Sequence, residues 1–254
     1  MASLFYVGEF RASGGLKSSR LPDVRARRLK LLALDTSTEY CSTALWTDGH
    51  VDVREAQAGQ RHSELLLGMI DELLKGAGLR LLDLDGIAFG EGPGSFTGLR
   101  IACGVVQGLA FGSGLPVAGI GTLLAMAEGT GADKVVCCLD ARMNEVYHAA
   151  YSRLDGSWHA VHEPAVCAPD AVPELPGEGW LACGSGFAAY RDTLTARYAG
   201  KLVSIDAGRC PHARDVASLA VPYFESGRAV SAEHAVPVYI RNKVALRIDE
   251  RPNR

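Results

Sequence analysis

Apolar residues in this chain follow two different spacings. Short, nearly continuous apolar runs such as LKLLALD, which ends at Asp35, and KVVCCLD, which ends at Asp140, predict buried strands. Segments with apolar residues three and four positions apart predict amphipathic helices, the first of them at residues 61–75. In both halves the strand that ends in aspartate precedes two further strands joined by an Asp-Gly turn, so the order of elements repeats.

The repeated pattern predicts an α/β fold built from two similar units. The strands are expected at residues 29–35, 41–48, 50–57, 84–90, around 117, 134–140, 144–152, 158–167, 179–186 and 201–206. The helices are expected at residues 61–75, 95–111, 122–128, near Pro169, and at 187–200 and 212–226. Two such units with a cleft between them are typical of the actin-like (ASKHA, RNase H-like) duplicated two-lobed architecture, with lobes at residues 30–130 and 131–245.

The two ends of the chain differ from the rest in composition. Residues 1–28 carry six basic residues against two acidic ones and lack a continuous apolar stretch, which argues against a secretory signal. We expect a basic, disordered leader or a start codon assigned too early, while a transit peptide remains open on composition. Residues 246–254 form a short tail. The segment before it is extended because of Pro237, and Tyr239, Arg241 and Asn242 there are either interaction residues or anchors across the lobe junction.

The segment GEGPGSFTGLR, residues 90–100, joins a predicted strand to a predicted helix. Gly92, Pro93 and Gly94 predict a tight turn, and Ser95 is a favourable N-cap for the helix that follows. Strand, turn and helix start together place backbone N–H groups at one point, which is an arrangement that binds anions. The other interpretation, which the local physics favours slightly, is that the glycines only let the helix pack closely on a sheet.

Five segments of the chain carry a resemblance to a known family. They are GPGSFTGLR, LLALDTSTEYCSTALW, RHSELLL, LDARMNEVYHAAY and AEHAVPVYIRN, and together with their order over residues 29–245 they resemble the bacterial TsaB (YeaZ) family. The resemblance implies a non-catalytic, cytoplasmic subunit of the complex that transfers a threonylcarbamoyl group to an adenosine of the tRNA anticodon loop. It further implies three partners: the catalytic paralogue TsaD, the ATPase TsaE, and a second copy of the chain in a homodimer when alone. Contact with tRNA would be indirect.

The helices at residues 61–75 and 95–111 are apolar on more than one face, so both faces need a cover. The chain's own second half is one candidate cover. The resemblance instead implies a bundle with the matching helices of a partner. The expected interface residues are Leu65, Met69, Leu99, Cys103 and Val106. On this interpretation Met69→Glu or Val106→Glu abolishes association and leaves the fold intact.

A remnant of a nucleotide site is the second expectation for the cleft. In active actin-like enzymes, aspartates at the positions of Asp35 and Asp140 hold Mg²⁺ beside the phosphates of ATP. Thr36 and Ser37 would donate to phosphate, and the turn with Gly184 and Gly186 would hold the base. The alternative, which the residues favour narrowly, is that each aspartate caps a turn. No cofactor is therefore expected on the chain alone, while ATP and Mg²⁺ remain candidates within the complex.

The residue types do not assemble a familiar catalytic motif. The catalytic paralogue carries an H-x-x-x-H metal pair on a helix, whereas here His62 is followed four residues later by Leu66. His148, His212 and His234 stand alone in the sequence, and Ser95 is not in a G-x-S-x-G motif. No metal site is expected. An ATP-dependent small-molecule kinase of the same superfamily is the alternative function, and a peptidase is a weaker one.

Composition narrows the remaining choices. The chain has 254 residues, of which 48% are hydrophobic and 22% charged, as in globular proteins. A net charge of −3 provides no overall attraction for nucleic acid. Seven cysteines without a C-x-x-C pair indicate reduced, mostly buried thiols. Residues 95–127 contain a single charge, but Gly112, Gly114 and Pro116 interrupt them, so we expect a buried helix and strand and no membrane span.

Overall fold

The computed structural model describes residues 29–241, so the predicted leader, Asn242 and the predicted tail lie outside the described residues. Within this range the chain forms ten strands and six α-helices. The strands are β1 Lys30–Asp35, β2 Tyr40–Thr47, β3 His50–Gln57, β4 Gly86–Gly92, β5 Val117–Gly121, β6 Lys134–Arg142, β7 Glu145–Leu154, β8 Ser157–Cys167, β9 Trp180–Cys183 and β10 Leu202–Asp206. The helices are α1 His62–Gly76, α2 Phe96–Ser113, α3 Thr122–Thr130, α4 Gly186–Ala189, α5 Arg191–Arg197 and α6 Ala213–Glu225.

The strands form two five-stranded mixed sheets with the same order. The first sheet runs β3-β2-β1-β4-β5, and the second runs β8-β7-β6-β9-β10. In each sheet the first strand of the unit is antiparallel to the second and parallel to the fourth. This equivalence confirms the duplicated, two-lobed actin-like α/β fold.

The sheets and helices stack in five layers. Helices α1 and α2 cover the outer face of the first sheet, α3 and α6 lie between the sheets, and α4 and α5 cover the outer face of the second. Alternate residues of β1 serve the two faces, with Leu32 and Leu34 towards α1 and α2 and with Leu31 and Ala33 towards α6. Burial on both faces explains why this strand reads as a continuous apolar run.

The end of the described chain returns to the first lobe. The predicted boundary near residue 130 separates the two sheets, but α6 packs against β1, β2, β4 and β5. Its buried residues include Val216 and Ala217, and Val230 beyond it pairs with Val117 at the edge of β5. The first lobe is therefore built from both parts of the chain.

Two helix predictions in the second half need correction. The helix expected near Pro169 does not form, because prolines at 169, 173 and 176 remove backbone N–H donors and disfavour helical conformation in the residues before them. The single helix expected at residues 187–200 is split at Tyr190, whose φ of −129° and ψ of 39° interrupt it between α4 and α5.

The seven cysteines are free thiols, and five of them are buried, as expected. Cys137 and Cys183 lie opposite each other on β6 and β9, with their sulfur atoms 3.5 Å apart. The apolar residues 95–127 divide into α2, β5 and α3. In the described part of the chain no helix combines the length and the apolar character that crossing a membrane requires.

Candidate functional site

The predicted interface residues lie on α1 and α2, but most of them face the core of the first lobe. Leu99, Cys103 and Val106 are buried on α2, and Met69 is buried on α1. Leu65 alone is partly exposed. The expectation that these side chains form an exposed patch is therefore corrected for those four. Because Val106 has no exposed surface, Val106→Glu would bury a carboxylate and disrupt the fold, so it cannot serve as a clean interface test.

Other residues form the outward surface of α2. Gly104, Gly108 and Gly112 are spaced four residues apart and are exposed, and apart from the adjoining backbone of α2 no atom lies within 4 Å of the position that a β-carbon would take at any of them. Phe111, beside this row of glycines, is 80% exposed. Ile101 and Val105 flank the same row and are partly exposed. We name this surface the α2 outer face, and it comprises Ile101, Gly104, Val105, Gly108, Phe111 and Gly112.

The loop after β1 buries the first predicted aspartate. One carboxylate oxygen of Asp35 accepts hydrogen bonds from the backbone N–H and the hydroxyl of Ser37, at 2.9 and 2.7 Å. The other oxygen has no hydrogen-bond partner among the described residues and lies against Gly90. Burial raises the pKa of Asp35, although the hydrogen bonds from Ser37 oppose that shift. Asp35 thus caps its own turn.

The start of α2 covers this loop. The Thr36 hydroxyl donates to the carbonyl of Gly98 at 2.7 Å, and the backbone N–H of Ser95 donates to the carbonyl of Ser37 at 2.7 Å. Gly98 touches the Thr36 carbonyl so closely that no β-carbon would fit there. Ser95 is the N-cap of α2, as predicted, and accepts from the N–H of Gly98 at 3.3 Å. Gly94 and Gly98 therefore provide close packing against the loop after β1 and not against the sheet, and Gly92 lies against the carbonyl of Val238.

The loop after β6 holds the second aspartate in a more open position. One oxygen of Asp140 accepts from the N–H of Arg142 at 2.8 Å, and the other pairs with the guanidinium of Arg142 at 3.0 Å. The N–H of Asp140 donates to the Ser185 hydroxyl at 3.0 Å. Gly184 and Gly186, the predicted base-holding turn, pack against Cys138 on β6, where a β-carbon would clash.

A cleft of about 1240 Å³ lies between the lobes. Ser37, Ser95, Asp140 and Ser185 line it, whereas Asp35 does not reach its surface. The residues present do not fit Mg²⁺ with ATP phosphates, because Asp35 is buried behind the cleft with one oxygen bonded to Ser37, and Asp140 is paired with its own Arg142. In the range 29–241 no group of three or more His, Cys, Asp or Glu residues is arranged to hold a metal.

Two histidines that look isolated in the sequence have partners in the fold. The ring of the buried His148 forms a 2.9 Å hydrogen bond with the hydroxyl of Tyr198, and the His162 ring lies 5.9 Å away. Burial and the neighbouring His162 lower the pKa of His148 to about 4. His212 pairs with Glu55 at 2.7 Å. The His148–Tyr198 and His212–Glu55 pairs join residues more than forty positions apart, so no local sequence signal could have found them.

Sequence reasoning also missed a second pocket of about 400 Å³, beside the N-terminus of α6. It contains the His212–Glu55 pair and an ion pair of Arg209 with Asp206 at 3.0 Å. Burial raises the pKa of Asp215 in this pocket to about 6. The pocket is lined by residues of β2, β3, α3, the loop after β10 and α6, and four of its charged groups form these two pairs.

The sequence is similar to those of known proteins over most of the chain. The family model described as TsaD, tRNA N6-adenosine threonylcarbamoyltransferase, matches residues 54–245. The tRNA threonylcarbamoyladenosine biosynthesis protein TsaB of Escherichia coli K12 is 41% identical over 226 residues, which cover 85% of this chain and 96% of that protein. TsaB of Haemophilus influenzae is 38% identical over 231 residues, covering 86% and 96%.

Solved structures show the same relationship. YeaZ from Pseudomonas aeruginosa superposes with a TM-score of 0.77 at 40% identity, covering 83% of this chain and 99% of that one. A second Pseudomonas aeruginosa structure, described as similar to the peptidase YeaZ, gives a TM-score of 0.78 at 40% identity and covers 84% and 100%. Sequence and fold agree over the same region, and the chain therefore belongs to the TsaB (YeaZ) family of tRNA threonylcarbamoyladenosine biosynthesis proteins.

Proposed function

We propose that this chain is a non-catalytic docking subunit for the catalytic paralogue TsaD in tRNA threonylcarbamoyladenosine biosynthesis. The observation that carries the proposal is the α2 outer face. It presents three open glycines and the exposed Phe111 on a helix whose opposite side is buried. An apolar face of this kind, on a helix that is already packed on one side, is a place where a partner docks.

The row of exposed glycines on α2 explains how a partner helix would fit. Side chains along the i, i+4 direction form the ridges that interdigitate when helices pack, and glycines there leave a groove. Open space at Gly104 and Gly108 lets a second helix approach the backbone of α2 closely. Ile101, Val105 and Phe111 would then lose apolar surface to the contact. The same face would pair two copies of the chain when the partner is absent.

The polar residues in and behind the cleft support a non-catalytic role. Asp35 and Asp140 are engaged within their own loops, and Leu66 stands where the catalytic paralogue has its second metal-binding histidine. The N-cap position of Ser95 gives no sign of an activated nucleophile, which weakens the peptidase alternative. A net charge of −3 suits a subunit that reaches tRNA through its partners. The ATPase TsaE would join the same complex, in the cytoplasm where tRNA is modified.

Gly108→Leu tests the docking surface without disturbing the core. The new side chain points into open space and leucine is the better helix former, so the fold should be retained. We expect association with TsaD to weaken at least tenfold and threonylcarbamoyl transfer to unmodified tRNA to fall with it. Thr195→Leu, on the exposed side of α5, is the matched control and should change neither.

Two outcomes would contradict the proposal. One is undiminished association and transfer with Gly108→Leu, which would place the docking surface elsewhere. The other is tight Mg·ATP binding and turnover by the isolated chain, which would favour the kinase alternative.

A further inference from the structure

The last described residues of the chain run along the first lobe before they leave it. The carbonyl of Ala235 accepts from the amide of Gln107 at 2.8 Å and from the thiol of Cys103 at 3.1 Å, both on α2. The N–H of Val238 donates to the carbonyl of Glu91 at 2.7 Å. We name residues 235–241 the clasp. Its first half is a fixed part of the first lobe.

The second half of the clasp crosses the mouth of the cleft. Tyr239 lies against the Phe96 ring, with centroids 5.3 Å apart, and its hydroxyl accepts from Arg100 at 3.0 Å. Two residues later Arg241 reaches the second lobe, where its guanidinium pairs with the carboxylate of Glu145. Arg241 therefore anchors the segment across the lobe junction as expected, whereas the ring and hydroxyl contacts of Tyr239 are with α2 of the first lobe, and Asn242 lies outside the described residues.

Arg241 holds the turn between β6 and β7. Its side chain is only 12% exposed, and besides Glu145 it contacts the Arg142 carbonyl at 3.4 Å and the Met143 sulfur at 3.0 Å. Arg142, Met143 and Asn144 have φ values of 61°, 56° and 58°, a conformation that costs free energy in residues other than glycine. Arg241 on one side and Asp140 on the other therefore hold three consecutive strained residues in place.

We propose that the clasp fixes the separation of the two lobes, so that the cleft keeps one width instead of opening and closing as a hinge. Arg241 is the positioning residue, because it joins the described end of the chain, tied to α2, to a strained turn of the other lobe. The inference stands apart from the proposed docking function, because the α2 outer face lies on the first lobe alone and the clasp contacts are internal to the chain.

The lobe-to-lobe distance tests this inference on the full chain alone. Glu72 on α1 and Thr195 on α5, which are exposed and outside the clasp, would be replaced by bio-orthogonal amino acids that carry the donor and acceptor dyes. Single-molecule energy transfer then reports the distribution of distances. We expect one narrow distribution for the native sequence, unchanged by Mg·ATP, and at least a twofold broadening for Arg241→Gln.

Control variants separate lobe fixation from a general loss of stability. Arg197→Gln removes an arginine whose guanidinium bonds the Val172 carbonyl at 2.9 Å within the second lobe, so it should leave the distribution narrow. Arg241→Lys keeps the charge without the planar fork and should broaden it only partly. Tyr239→Ala breaks the clasp at its midpoint and provides the same test if Arg241→Gln does not fold.

A broad distribution in the native chain, or an unchanged one in both Arg241→Gln and Tyr239→Ala, would overturn the inference. Its failure is distinct from failure of the proposed docking function, because Gly108→Leu tests association and leaves the clasp intact.

Discussion

The loops after β1 and β6 occupy equivalent places in the two halves of the fold, yet their aspartates have opposite environments. Asp35 is buried and has a raised pKa, whereas Asp140 is partly exposed and paired with Arg142. The elements that follow β4 and β9 explain the difference. The 18-residue α2 packs its N-terminus onto the first loop, while the four-residue α4 leaves the second loop open to the cleft. A repeated sequence signal therefore does not imply repeated chemistry.

Removing the close contact between α2 and the first loop should have the largest effect. Gly98→Ala places a methyl group against the backbone carbonyl of Thr36. A backbone atom cannot move aside as the end of a flexible side chain could. We expect a loss of about 3 kcal/mol in the free energy of unfolding, measured by urea denaturation. Gly104→Ala on the same helix faces open space and should instead stabilise by about 0.5–1 kcal/mol. Equal effects of the two substitutions would refute the assigned role of Gly98.

The first lobe buries an acid, Asp35, and the second lobe buries a base, His148, so the stability of the two lobes should respond to pH in opposite directions. The pKa of His148 falls to about 4 on folding, so its contribution to stability is complete above pH 6.5 and is lost as the pH drops towards 4. Asp35, with its raised pKa, contributes stability below its unfolded pKa and loses it as the pH rises.

The variant His148→Gln isolates the first of these effects. Relative to this variant, the native chain should lose about 3 kcal/mol of unfolding free energy between pH 7 and pH 4. Denaturant titrations at several pH values provide the measurement. Parallel pH profiles for the two proteins would show that His148 does not titrate as its burial requires.

Truncating the two aspartates should give the smallest effect and compares the loops directly. Asp35→Ala leaves the buried N–H and hydroxyl of Ser37 without their acceptor, and we expect a loss of about 2 kcal/mol. Asp140→Ala removes bonds at an open loop and should cost about 1 kcal/mol or less. Thermal unfolding of both variants is sufficient, and a larger loss for Asp140→Ala would reverse the comparison.

Local sequence signals predicted much of the architecture, because strands and helix ends depend on neighbouring residues. The apolar runs before Asp35 and Asp140, the Asp-Gly turns and the N-cap at Ser95 all occur as expected. The helix near Pro169 failed because the expectation followed the symmetry of the duplication, while the prolines in that segment follow local backbone rules. Where the repeat and the local chemistry disagreed, the local chemistry prevailed.

The sequence by itself determined that the chain has two similar α/β halves, a glycine turn leading into a capped helix, and the family to which it belongs. Only the tertiary structure decided which face of α2 is covered, because a helix that is apolar all round does not show which side meets the sheet. Val106 and Cys103 proved to be core residues, and the exposed side of α2 carries Gly104 and Gly108 instead. The pairing of His148 with Tyr198 and of Arg241 with Glu145 was likewise decided by the fold, since contacts between distant residues leave no periodic trace in one sequence.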